Sequence, residues 1–166
     1  MADDDQPPLI LGGPGGSRSE PERASVSPPV ILVDDRQSVP VDTEGLVALA
    51  REALLGEGAA DAELSVSFVT EEEMADLHLR YMQEEGPTDV LSFPLEDEAS
   101  EGPRLLGDVV IAPSVAARNN PDDPAGELRL LLVHGILHLL GHDHDDEADR
   151  AAMWSRQDRY AKAEAR

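Results

Sequence analysis

The segment between Asp123-Pro124 and Gly141 constrains this chain more than any other, because it reads as a helix that is apolar on nearly every side and yet carries two histidines. Asp123 is a helix-capping residue, and Pro124 suits the first helical position, where no backbone N–H is needed. Most residues that follow are Leu, Val and Ile, so a helix running to about Leu140 has to be buried on several sides. The apolar run at 128–140 is too short to span a bilayer and includes Arg129.

Shorter elements surround it. Residues 30–33 read as a buried strand. Thr43 is placed to cap a helix whose apolar positions Leu46, Val47, Ala50, Ala53 and Leu54 recur at helical spacing, with Gly56 just past its end. Leu64, Val66 and Phe68 alternate with Ser65 and Ser67, which predicts a strand with one face buried. Thr70 and Glu73 form a capping box opening a helix with Met74, Leu77, His78 and Tyr81 on one side. Further strands are expected at 90–93 and 108–112, and a brief helix from Pro113 toward Arg118. A turn-rich loop then spans 119–123, and a polar helix covers 146–163. Strands mixed with helices predict an α+β or α/β domain, not a bundle or barrel.

The 166 residues suffice for one domain of ordinary size. Residues 1–28, dominated by Pro, Gly, Asp, Glu and Ser, hold too few apolar groups to offset the entropy of ordering and are expected to form a disordered tail. The folded domain is expected over 29–166. There is no cysteine, so no disulfide-linked partner is expected and any metal must be held by imidazole or carboxylate. Asp3, Asp4 and Asp5 stand where a secretory signal would need positive charge, so a cytoplasmic protein with no membrane partner is expected. The net charge is −22, from 13 basic and 35 acidic residues. Acidity of this kind keeps a protein soluble and provides no long-range steering toward phosphate.

Four of the five histidines fall between 134 and 144. His134 and His138, at i and i+4, project from one face of the helix and can share one ion. Unpaired imidazoles on a buried helix are costly without such a partner. Gly141 can take the left-handed conformation that reverses the chain and carries His144 round as a third ligand. His142, beside the turn, is the alternative donor. Three protein ligands leave a fourth position for water, as catalytic zinc requires. The spacing H-x3-H-x2-G-x2-H is shared with metzincin proteases, but Gly135 stands where their glutamate base would be, which disfavours a peptidase.

The run from His134 to His144, HGILHLLGHDH, resembles the HGxLHLxGxDH signature of the bacterial YbeY endoribonucleases. The block from Gly86 to Pro94, GPTDVLSFP, is similar to that family's PTDVLSFP segment, and the run from Gly107 to Ile111, GDVVI, matches its GD(I/V)xI strand. The three come in the family's order, and the resemblance covers roughly residues 29–163. It implies an α+β fold with a small, mostly parallel mixed sheet of about four strands, flanking helices, and a zinc site on the long buried helix. It also implies a zinc-dependent, single-strand-specific endoribonuclease for 16S rRNA 3′ end maturation and ribosome quality control. The implied partners are ribosomal RNA precursors and the small ribosomal subunit. The family's ligands carry over to His134, His138 and His144, holding one Zn2+ ion.

One position departs from the pattern. Where family members commonly have Tyr-Arg before the PTDVLSFP block, with the arginine facing RNA, this chain has Tyr81-Met82. Arg80 is the nearby candidate for RNA binding, although two residues away on a helix is a different face. Arg104, Arg118 and Arg129 are further candidate phosphate contacts. His78, between Leu77 and Tyr81, is expected to be a packed or hydrogen-bonded histidine and not a ligand. Zinc would supply an acidified water and polarise a phosphoryl oxygen, or stabilise the phosphate while the ribose 2′-OH attacks. No general base stands out; Asp143 fits capping the turn or orienting a histidine. A non-enzymatic zinc-containing ribosome-assembly factor is the alternative, supported by the acidic charge and the missing arginine.

Overall fold

The computed structural model describes residues 29–95, 104–142 and 147–164. The elements run β1 (Val30–Asp35), α1 (Thr43–Gly56), β2 (Ala62–Phe68), α2 (Glu71–Met82), β3 (Val90–Pro94), β4 (Arg104–Ile111), α3 (Pro113–Asn119), α4 (Pro124–Leu139) and α5 (Glu147–Glu164). The four strands form one sheet in the order β1-β2-β4-β3. β1, β2 and β4 are parallel, and β3 lies antiparallel to β4 along the edge. This is a mostly parallel mixed sheet with flanking helices, an α+β fold.

α4 is the centre of the molecule. Leu128, Leu131, Leu132, Val133, Gly135, Ile136 and Leu137 are all buried along it, and it packs on α1, α3, α5, β3 and β4. Its start is made as the residue types require: the Asp123 side chain accepts a hydrogen bond from the Gly126 amide at 3.0 Å, with Pro124 inside the first turn. One face of the sheet meets this layer through Leu64, Val66, Phe68, Val109 and Ile111. The other face carries a smaller cluster of Leu91 and Val110 beneath Met74 and Leu77 of α2 and Val115 of α3. No helix among the described residues is long and apolar enough to cross a membrane.

Several local expectations are corrected. β1 is a strand, but Val30, Leu32 and Val33 are 39%, 49% and 39% exposed. An apolar run signals a strand without saying whether it lies in the middle of a sheet or at its rim, and β1 is one of the two outer strands. α1 is capped by Asp42, whose carboxylate accepts from the Gly45 amide at 3.0 Å, and Thr43 is already the first helical residue. In the capping contact of α2 the Glu73 amide donates to Thr70 Oγ1 at 3.1 Å. The Glu73 carboxylate instead meets the Arg36 guanidinium. β4 begins four residues earlier than expected, because Gly107 interrupts the apolar pattern. Its φ of +132° and the Phe93 carbonyl against its Cα leave no room for a side chain, so the glycine serves the β3–β4 contact. α5 reads as polar in sequence, yet Met153, Gln157, Tyr160 and Ala161 are buried against α4 and α1. The expected tail at 1–28 lies outside the described residues.

Candidate active site

His134 and His138 sit one turn apart on α4, with ring centroids 4.6 Å apart and planes inclined by 73°. Both rings are partly buried. With Met82, Val90, Leu91, Ser92, Pro94 and Leu139 they line an open cleft of about 310 Å³. The cleft exists because β3 stands at the sheet edge beside α4, and the Ser92 hydroxyl donates to the Gly135 carbonyl at 3.2 Å. The same closeness accounts for Gly135: a Cβ there would fall 2.7 Å from a Val109 methyl and 3.1 Å from Ser92 Oγ. Close helix–sheet packing thus occupies the position at which a glutamate base would have to sit.

Gln157, only 1% exposed on α5, places its Oε1 2.5 Å from His134 Nδ1. An amide oxygen can only accept, so Nδ1 donates to it and Nε2 is the nitrogen left for a metal. That arrangement is the usual one for a metal-binding histidine, whose second nitrogen is oriented by a neighbour. The donor chemistry therefore fits zinc: two imidazoles on one helical face, one of them held from behind by a side-chain amide. Among the described residues no set of three metal-binding side chains converges. His144, the third expected ligand, and Asp143 lie outside the described residues.

The other two described histidines are engaged elsewhere. His142 Nε2 lies 3.2 Å from Glu57 at the end of α1. The Glu57 side chain is 5% exposed and is also held by Arg156 at 3.0 Å and by the Tyr160 hydroxyl at 2.8 Å. Burial pushes its pKa upward, but hydrogen bonds from Tyr160 and Arg156 outweigh that and keep it below the ordinary glutamate value. This network ties the turn after α4 to α1 and α5. His78 Nδ1 donates to the Gly86 carbonyl at 2.9 Å, and Nε2 lies 3.3 Å from Glu84. It is a hydrogen-bonded histidine pinning the loop ahead of β3, as its setting in the sequence suggested.

None of the candidate arginines lines the histidine cleft. Arg80 pairs with Asp76 at 2.6 Å and lies over the Tyr81 ring. Arg118 pairs with Glu71, Arg104 is exposed at the start of β4, and Arg129 borders a separate small pocket with Asp42 and Gly45. It is Met82 that faces the cleft, so the residue departing from the family pattern is the one at the site. Gln157 and Glu57 have no sequence signal: each is one polar residue among many until packing buries it.

Fold and cleft together define a small α+β protein with a buried-helix histidine pair beside an edge strand. The family model described as "Endoribonuclease YbeY" matches residues 32–164. Proteins named "Endoribonuclease YbeY" are similar over most of the chain. The one from Thermobifida fusca is 49% identical, covering 76% of this chain and 88% of its own. The one from Frankia alni is 46% identical, covering 78% and 79%. The one from Streptomyces coelicolor is 40% identical, covering 76% and 85%. A solution structure of a Thermotoga maritima protein superposes with a TM-score of 0.57 at 26% identity, over 81% of this chain and 89% of the other. The chain belongs to the YbeY endoribonuclease family.

Proposed function

We propose that this protein is a zinc-dependent endoribonuclease that cuts single-stranded RNA, acting at the 3′ end of 16S rRNA precursors and in quality control of the small ribosomal subunit in the cytoplasm. The observation that carries the reading is the pair His134 and His138 facing an open cleft, with Gln157 holding one ring from behind. His134, His138 and His144 would hold one zinc ion. Bound there, zinc would supply Lewis acidity toward a phosphoryl oxygen and a nucleophile at neutral pH.

The chain's own residues have separate work. Gln157 keeps the His134 proton on Nδ1, away from the cleft. Ser92 and Gly135 hold β3 against α4, which sets the width of the cleft beside the scissile phosphate. Met82, Pro94, Val90 and Leu139 give that cleft an apolar wall, which excludes water from the flank of the site without binding phosphate. The catalytic unit is residues 29–166, and the family match over 32–164 supports that boundary. The tail 1–28 is dispensable for cleavage, and its deletion should leave the rate on single-stranded RNA unchanged.

The decisive experiment measures metal content and cleavage of a single-stranded RNA by wild type and His144→Ala. Loss of both zinc and cleavage supports the reading, and undiminished cleavage by metal-stripped protein refutes it. A second reading, a zinc-containing assembly factor without turnover, is favoured by one observation: among the described residues no arginine lines the cleft. It requires binding to small-subunit particles with no cleavage above background.

A further inference from the structure

The sheet has a second face, and part of it is uncovered. Pairing places Leu32, Ser65, Asp108 and Phe93 in one row across the four strands, with Asp34, Ser67, Val110 and Leu91 in the next. Residues paired across a sheet share a face. Met74, Leu77 and Val115 cover the Val110 and Leu91 end of the second row. The row from Leu32 to Phe93 is left open, with Leu32 49% exposed. What results is a groove of about 370 Å³ lined by Arg36, Ser67, Leu77, Tyr81, Phe93, Asp108 and Val110.

Three features give this groove a chemical preference. Tyr81 is 57% exposed and meets Phe93 in a T-shaped contact, with centroids 5.3 Å apart and Arg80 over its ring at 5.7 Å, so the aromatic side chain is held in place at little entropic cost. Arg36 is occupied by Glu73 and Asp34, so the groove offers phosphate no uncommitted cation. Asp108 brings a carboxylate that no ion pair claims among the described residues. An aromatic side chain beside a carboxylate outside any ion pair suits a nucleobase with two adjacent donors. Guanine presents these as N1–H and the N2 amino group, which a carboxylate accepts in parallel.

The groove also lies next to the histidine cleft along the chain. Met82 lines the cleft and its neighbour Tyr81 lines the groove; Ser92 and Pro94 line the cleft and Phe93 between them lines the groove. β3 is the edge strand that separates the two. A single strand can therefore pass round that edge, leaving its phosphate at the histidines while an adjoining base lies on the sheet. Exposed sheet aromatics serve this purpose in other single-strand binders.

We propose that the groove bounded by Tyr81, Phe93 and Asp108 is a nucleobase subsite that selects an unpaired guanine next to the cleavage position. The inference rests on the ribonuclease reading for its substrate, but its test does not depend on cleavage. Binding of the 2′-O-methyl pentamers UUGUU, UUAUU and UUIUU (I, inosine) to the full chain is measured by titration calorimetry. Wild type should prefer UUGUU over UUAUU by about tenfold, with inosine, which lacks the N2 amino group, in between. Asp108→Asn should abolish that preference. Tyr81→Ala should weaken all three pentamers by about five- to a hundredfold, and Tyr81→Phe should restore them. Circular dichroism checks that each variant is folded. A guanine preference that survives Asp108→Asn, or unchanged affinities in Tyr81→Ala, overturns the proposal. If wild type cleaves RNA while these variants bind as it does, only the subsite fails; if the pentamers bind as described and no RNA is ever cut, only the nuclease reading fails.

Discussion

The four described histidines divide into two pairs, and what separates them is whether the ring faces a loop or an open cleft. His78 and His142 are fastened to loops, one between Gly86 and Glu84, the other on Glu57. His134 and His138 stand on the helix with the most completely buried surroundings and turn their rings toward a cleft. The same side chain thus fastens a loop at His78 and His142 and lines an open cleft at His134 and His138. Residue type alone does not distinguish these uses.

The sharpest way to break this comparison is to exchange the pairs' fates. His134→Ala or His138→Ala should lower cleavage of single-stranded RNA on the order of a hundredfold or more, with Tm moving little for His138→Ala and falling modestly for His134→Ala, which leaves the buried Gln157 oxygen unpaired. If His78→Ala were to lower it as much, the division would collapse. Next in size, Gln157→Leu should cost about 10- to 100-fold in zinc affinity, read by competition with a chelator, because His134 loses the partner that sets its tautomer. Gln157→Glu should recover most of that loss.

The fastening pair is tested through stability. Glu57→Ala should cost about 2 kcal/mol in denaturant unfolding, since the Tyr160 hydroxyl and Arg156 lose their acceptor. The pH dependence has a definite sign. The folded-state pKa of Glu57 is depressed, so its contribution is fully present above the ordinary value of 4.5 and is lost as pH falls through the lower folded value. Wild type should therefore lose more stability than Glu57→Gln on going from pH 5 to pH 3. Smallest of all, His78→Ala should cost about 1 kcal/mol, one hydrogen bond to the Gly86 carbonyl, with metal affinity unchanged.

Much of the architecture was legible beforehand, and the exceptions have physical causes. Helix starts at Asp123 and Thr70, the alternation of β2 and the burial of α4 follow from local chemistry, because a cap or a period is complete within a few residues. The Gly107 kink hid the start of β4, since a glycine demanded by a neighbouring strand looks like a break. α5 looks polar in the sequence because its buried stripe is narrow and includes a glutamine.

The sequence by itself determined that His134 and His138 share a face, since 3.6 residues per turn allows nothing else, and that their helix had to be interior, since it has no polar side to offer water. Only the tertiary structure decided that Gln157 stands behind His134, that Met82 and not Arg80 borders the cleft, and that the far face of the sheet stays open beside Tyr81. Those facts depend on contacts between residues tens of positions apart, where the energy lies in how layers meet and no local pattern records it.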